Sequence, residues 1–333
     1  MMADQRASED RIGLLADVAE MYFLEEETQA QIAKKIGVTR SMVSRLLTEA
    51  RKQNIVEISV HRPLSFDRDM QTELAHLYGL RAAFVLNAWL GERNLLNNLG
   101  AAAAHVVKDY FHPNMILGLP WGTTVSAVVD ALEIEEPIPC KIPQMVGALG
   151  SHNLRYDGHG IVQRLAQKLG GEAYYLNAPF LVDCEQTAKA LYKNPSICET
   201  LSVANQCTVA LLGIGSTHPD YSSYYKAGYF SIEELEELRS DGAVGGVCGV
   251  HFDATGTLRG VDFQKRIMSI DEDNLKAIPV RIGVAGSLGK VDAIQGAILG
   301  GYINIIVTDH LVATELVHRA KQHYREDEIN HGK

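Results

Sequence analysis

The chain has 333 residues, 46% of them hydrophobic and 22% charged, with a formal net charge of −10. This fits a globular protein of two domains, excludes a disordered or collagen-like chain, and argues against polyanion binding over the whole surface. No apolar run approaches the ~18–20 residues of a membrane span, and the opening MMADQRASEDR lacks the apolar core of a signal peptide, so a cytoplasmic protein is expected.

Ile12, Leu15, Val18, Ala19 and Tyr22 recur at helical spacing and predict a supporting first helix. Residues 28–53 then reverse the charge of the chain. Lys34, Lys35, Arg40, Arg45, Arg51 and Lys52 face only Glu49, a compact basic island suited to a local anionic partner. Thr28 caps a short helix with Ile32, Ala33 and Ile36 as its apolar positions, and Gly37 ends it where a positive φ is cheap. Val38 packs in the turn, and Thr39 caps a second helix with Met42, Val43, Leu46 and Leu47 turned inward. This is the pattern of a helix-turn-helix, in which the second helix enters the major groove. The candidate DNA-binding residues are Thr39, Arg40, Ser41, Ser44 and Arg45 on that helix, with Thr28 and Gln29 at the start of the one before it. Their hydroxyls and guanidiniums suit phosphates and base edges. Residues 54–60, NIVEISV, read as a turn and an alternating strand, the wing of a winged domain that covers residues 1–60.

Pro63 disfavours continuation of that strand, and Phe66, Met70, Leu74 and Leu77 predict an amphipathic linker helix over 66–77, within a linker of residues 61–80. The remainder, 81–333, alternates apolar strands (83–86, 115–119, 142–146, 173–176, 208–213, 280–285 and 303–308) with helical runs such as 123–132, 161–169, 291–299 and 311–322. Short, nearly continuous apolar strands between helices indicate a Rossmann-like α/β domain with a mostly parallel sheet covered on both faces. Ligands in such sheets bind beyond the carboxyl ends of the strands.

Three strand ends are rich in glycine: Gly118 to Thr124 (GLPWGTT), Gly213-Ile214-Gly215, and Gly286-Ser287-Leu288-Gly289-Lys290. Thr123 and Thr124 offer amide and hydroxyl donors at a helix start, where a phosphate is well received. Lys290 opens another helix, an unfavourable place for a cation unless an anion sits beside it. Neither nucleotide fingerprint is complete. Val284 and Val291 break the GxxxxGK[ST] pattern, and no glycine follows Gly215 at the spacing GxGxxG requires. The five cysteines (Cys140, Cys184, Cys198, Cys207, Cys248) form no CxxC and the twelve histidines no HxxxH or HExxH, so free thiols and no metal or cofactor are expected.

The segments QIAKKIGVTRSMVSRLL, GLPWGTT, LLGIG, KAGYFSIEELEELRSDGAVGGVCGVHFDATG, RIGVAGSLGKVDAI and INIIVTDHLVATEL together resemble the SorC-type bacterial transcriptional regulators over practically the whole chain. The resemblance implies an effector domain with the fold of glucosamine-phosphate deaminases and ribose-phosphate isomerases. It also implies operator DNA as a partner, assembly as a dimer or tetramer, and a phosphorylated sugar or polyol as effector. It places Gly122, Thr123, Thr124 and Lys290 on the effector phosphate. The full expected effector set adds Gly213, Gly215, Gln264 and Ser287. The chain departs from the family pattern at Gly246, where a carboxylate is common, at Gln264-Lys265-Arg266 in place of Asn-Asp-Arg, and at Ser287 in place of a glycine. Losing two acids and gaining a lysine predicts a more positive pocket. Two alternatives stand beside this reading. One is a sugar-phosphate isomerase or deaminase using acid–base groups among Asp157, His159, Asp220, Asp241, His251, Asp253 and Asp262. The other is a DNA-binding protein without effector control. The helix-turn-helix disfavours the first, and the three glycine loops with Lys290 disfavour the second.

Overall fold

A computed structural model describes residues 2–53, 55–56, 64–87, 92–150, 155–226 and 228–331. The chain divides into two compact units, Met1–Pro63 and Leu64–Lys333.

In the first unit α1 (Met2–Phe23), α2 (Gln29–Ile36) and α3 (Arg40–Lys52) close over one apolar cluster. Leu15, Val18 and Ala19 come from α1, Ile32 and Ala33 from α2, and Val43, Leu46, Leu47 and Ala50 from α3. The start of α2 is a reciprocal capping box between Thr28 and Gln31, and Gly37, at φ 73°, ends the helix with its amide on Ala33 O. Thr39 Oγ1 accepts the Met42 amide at 3.3 Å and starts α3. The inward stripe of α3 runs 43, 46, 47, 50, so Met42, one residue off it, is 46% exposed rather than inward. Ile12 is likewise exposed, and the inner stripe of α1 begins at Leu15. Arg11 ties α1 to α3 through two bonds to the Glu49 carboxylate, 3.2 and 2.6 Å. The wing expected over 54–60 lies outside the described residues except for Ile55 and Val56, which pack against the cluster.

The second unit begins with a helix spanning Arg68–Tyr78. Phe66 is not part of it. The Asp67 side chain accepts the Met70 amide at 3.0 Å and sets the start, while Phe66 forms an antiparallel bridge with Leu86. The apolar face of this helix is spent within the unit: Leu74 is fully buried, and Met70 and Leu77 pack on the same core. Tyr78 Oη donates to Leu316 O at 3.0 Å.

Eleven strands follow among the described residues: β1 (Ala82–Leu86), β2 (Leu117–Gly118), β3 (Lys141–Pro143), β4 (Glu172–Tyr174), β5 (Val209–Gly213), β6 (Gly215–Ser216), β7 (Gly245–Val247), β8 (Val250–Phe252), β9 (Leu258–Arg259), β10 (Val280–Val284) and β11 (Ile305–Asp309). The main sheet, ordered β1-β11-β10-β5-β2, is parallel throughout. The parallel pair β3-β4 is joined to its β2 end by the bridges Ile116↔Lys141 and Leu119↔Gln144. Val209 and Leu211 belong to the core on one face of the sheet, and Ala210 and Leu212 to the core on the other. That two-sided burial is what near-continuous apolar strands require. The seven parallel strands are those expected from the apolar segments. The antiparallel sheet β6-β7-β8-β9 was not expected, because strands of two or three residues carry no readable alternation.

Leu74→Ala is expected to lower the stability of the second unit by ~2–5 kcal/mol, measured by denaturant unfolding. An unchanged transition would mean that the Arg68–Tyr78 helix is only a tether.

Candidate functional site

Two surfaces carry candidate chemistry, one in each unit. On α3, Thr39, Arg40, Ser41, Ser44 and Arg45 are all exposed. Neither Arg40 nor Arg45 forms an ion pair with a described residue. Lys35, by contrast, is held by Glu25 and Glu27. The Thr39 and Ser41 hydroxyls lie 3.0 Å apart at the cap. Thr28 is exposed and half-buried Gln29 follows it, the Thr28 hydroxyl donating to Gln31 Oε1 at 2.7 Å. The free guanidiniums sit on a helix anchored from behind by four buried side chains, the presentation that groove reading needs.

In the second unit, connectivity locates the site. From β2 the chain moves outward to β3 and β4; from β5 it moves the other way, through β10 to β11. The order therefore reverses between β2 and β5, where an open parallel sheet leaves a crevice beyond its carboxyl ends. Trp121, Gly122, Thr123 and Thr124 line that crevice from the β2 side, Gly213 and Gly215 from the β5 side, and Lys290 from the turn after β10. The inner recess measures about 50 Å³. Trp121, Gly122, Thr123 and Lys290 also border a wider chamber of about 510 Å³, shared with Asp220, Tyr221 and Lys226.

The recess is rich in donors. Gly122, at φ 140°, begins the helix Thr123–Ala131 with no side-chain cap. The first intrahelical bond runs from Ser126 N to Gly122 O at 2.9 Å, so the amides at 123–125 have no acceptor within the helix. Lys290 Nζ donates to Ile214 O at 3.2 Å and meets no carboxylate among the described residues. Burial, with a smaller push from Lys226, lowers its pKa to about 8. A Cβ at Gly213 or Gly215 would make only ordinary contacts of 3.5 Å or more. Protein packing does not demand glycine there; the bare backbone keeps space at the recess.

Of the expected effector residues, Gly122, Thr123, Thr124, Gly213, Gly215 and Lys290 thus come together, and Gln264 and Ser287 do not line the recess. Gln264 borders a separate cavity of about 770 Å³ together with Lys265. Lys265 Nζ pairs with Asp262 at 2.7 Å, so it does not make the recess more positive, contrary to the sequence expectation. The neighbouring cation is Lys226, which sequence reasoning missed because it stands on a four-residue helix with no periodic signal. Gly246 does line the recess. A Cβ there would lie 2.9 Å from Val250 O and 3.1 Å from the His251 ring, so the room a carboxylate would need is closed.

Among the acid–base candidates His159 Nδ1 lies 3.5 Å from Asp157 Oδ2, and neither residue lines the recess. Asp157 accepts the Leu149 and His159 amides, Asp241 the Gly260 amide, and Asp253 pairs with Arg259 at 2.8 Å. His251 is buried among Tyr224, Phe230 and Phe263, and burial lowers its pKa to about 4, which keeps it neutral. These carboxylates build turns; only Asp220 borders the chamber.

Each unit overlaps a known family model. Residues 62–318 match the family described as "Putative sugar-binding domain", and residues 16–53 match "Sigma-70, region 4". The chain is similar to the Sorbitol operon regulator of Klebsiella pneumoniae, with 29% identity over 92% of this chain and 98% of that one. It is similar to the Deoxyribonucleoside regulator of Bacillus subtilis, with 28% identity over 91% of this chain and 97% of that one. The crystal structure of the full-length Klebsiella regulator SorC superposes with a TM-score of 0.69 at 28% identity, covering 92% of this chain and 99% of that one.

A lysine with a folded pKa of about 8 is charged at pH 7 whether the chain is folded or not. Between that value and the ordinary ~10.4 the unfolded chain holds the proton and the folded one does not, so stability rises with pH across that window. Lys290→Met is expected to abolish this rise and to stabilise the ligand-free protein at pH 7 by ~1–3 kcal/mol, since a partly buried charge with only a carbonyl beside it is removed. Chemical unfolding at pH 7 and pH 10 checks it; identical pH dependence in the two proteins would contradict the burial of this ammonium.

Proposed function

We propose, from the premise that the chain belongs to the SorC-type family of transcriptional regulators with a sugar-binding domain, that it binds operator DNA through α3 and is controlled by a phosphorylated sugar or polyol held at the recess between β2 and β5. The observation that carries the effector reading is the half-buried Lys290 ammonium, which has a carbonyl but, among the described residues, no carboxylate beside it. With the uncapped start of Thr123–Ala131 across the recess, positive potential from two elements converges on a volume of about 50 Å³. An acceptor-only group with several oxygens fits such a donor set, and a phosphate does so better than a hydroxyl. The wider chamber then takes the carbon chain, with Asp220 and Tyr221 available to its hydroxyls. The regulated operon serves carbohydrate metabolism, as the names of the relatives suggest.

On the DNA side, Arg40 and Arg45 supply forked donors for guanine edges or phosphates, and Ser41 and Ser44 the shorter contacts. One helix-turn-helix reads only a few base pairs, so the working form is a homo-oligomer, a dimer or tetramer on repeated half-sites. Five free cysteines suit the reducing cytoplasm.

Two outcomes test this reading. Arg40→Ala and Arg45→Ala each lose ~1–3 kcal/mol of discrimination between operator and unrelated DNA, read by gel shift against the protein's own promoter; wild-type affinity in both would reject α3 as the recognition helix. In a thermal-shift screen, phosphorylated sugars or polyols stabilise the protein, by about 2.7 kcal/mol at a hundred times the dissociation constant, whereas their unphosphorylated parents do not. Thr123→Val weakens that response less than Lys290→Ala, because it removes one hydroxyl donor rather than a charge.

A further inference from the structure

The turn that carries Lys290 contains a backbone conformation its residue does not favour. Ser287 has φ 84°, in the region where glycine is at ease and a side chain is not. Asp309, at the carboxyl end of β11, holds it there. Its Oδ2 accepts the Ser287 amide at 2.7 Å, and its Oδ1 accepts the Val312 amide at 3.0 Å, in the first turn of the helix His310–His331. Asp309 is 9% exposed, and no described cation pairs with its carboxylate. It lies against Gly286, where a Cβ would come within 2.5 Å of Oδ2. From Ser287 the turn closes on itself, with the Lys290 amide donating to Ser287 O at 2.9 Å, and Gly289 lies against the Tyr221 ring.

We infer that Asp309 is the positioning residue of the anion site: by clamping Ser287 in its left-handed turn it fixes where the Lys290 ammonium stands. Asp309 does not line the recess, so it acts through the turn and not on the ligand. The two amides it holds belong to different elements, which makes the turn after β10 and the helix after β11 one rigid piece. A carboxylate is suited to this task because it accepts on both oxygens, whereas an amide side chain presents a donor to one of the two N–H groups. A buried carboxylate that, among the described residues, bonds only to backbone amides, next to a residue held at positive φ, has a local structural reason of this kind. The inference rests on the reading that the recess binds an anion.

The test uses the full chain, with inorganic phosphate as probe and its affinity read by calorimetry. Asp309→Asn weakens phosphate binding about tenfold, the scale of one bond to a charged group. Ser287→Gly in the Asp309→Asn background restores most of that loss, because glycine takes φ 84° without being held. If Asp309 served only to start the following helix, Asp309→Asn would lower thermal stability, leave phosphate affinity as it was, and gain nothing from Ser287→Gly; that result overturns the inference. Lys290→Ala separates the two readings. If it binds phosphate like wild type, the anion site itself is misplaced, whereas lost binding in Lys290→Ala with full binding in Asp309→Asn overturns the positioning role alone. Should Asp309→Asn fail to fold, amide exchange in the wild-type protein decides. The Ser287 and Val312 amides exchange slowly and gain protection together on adding phosphate; a Ser287 amide that exchanges like an open loop contradicts the clamp.

Discussion

A half-buried ammonium group with no carboxylate beside it among the described residues is the constraint on which the account of the second unit turns. Taking a charge out of water is costly, and proteins usually meet the cost with a paired opposite charge. At Lys290 the partner is a backbone carbonyl, and the rest of the compensation is left to whatever enters the recess. The unit tolerates this because the lysine arises from a turn fixed at both ends and because two large apolar cores flank the sheet. Stability elsewhere makes it possible to keep one ammonium there without an opposite charge among the described residues.

The parallel sheet creates that place. Strands buried on both faces force the connections to run over the surface as helices, and a chain that adds strands first on one side and then on the other opens a crevice where it turns back. Between β2 and β5 the crevice exposes backbone at Gly122, Gly213 and Gly215, set among side chains such as Trp121, Tyr224 and Lys290. Helix-start amides and a lysine tip can then approach one small ligand group from different directions. The same logic, on a smaller scale, presents α3: Val43, Leu46, Leu47 and Ala50 anchor one side of the helix so that Arg40 and Arg45 can stay free on the other.

Much of this was legible in the sequence, for identifiable reasons. The three helices of the first unit were readable because caps and stops are local chemistry: Thr28, Gly37 and Thr39 each act on backbone groups within four residues. The seven parallel strands were readable because two-sided burial leaves continuous apolar runs. The recess was readable in part, because glycines at the ends of parallel strands leave backbone amides open to a ligand and a lysine at a helix start calls for an anion. What escaped depended on long-range geometry. Gln264 and Lys265 resembled site residues by motif, yet they border a different cavity. Lys226 reaches the chamber from a helix too short to have a period. Ser287 looked like a ligand contact in the turn, whereas its backbone conformation is the informative feature. The Asp309 clamp spans 22 residues of sequence, and no local pattern announces it. Met42 is exposed because the inward stripe of α3 begins at Val43.

The most direct test of the central claim, that the recess between β2 and β5 is an anion site completed by Lys290, is a titration of isotope-labelled protein with inorganic phosphate followed by nuclear magnetic resonance. The amides of Thr123 and Thr124 and the Lys290 side-chain ammonium are expected to shift together with a single dissociation constant, while the signals of Gln264 and Lys265 stay fixed. Shifts confined to the Gln264–Lys265 cavity or to α3, with Thr123, Thr124 and Lys290 unmoved, would contradict it.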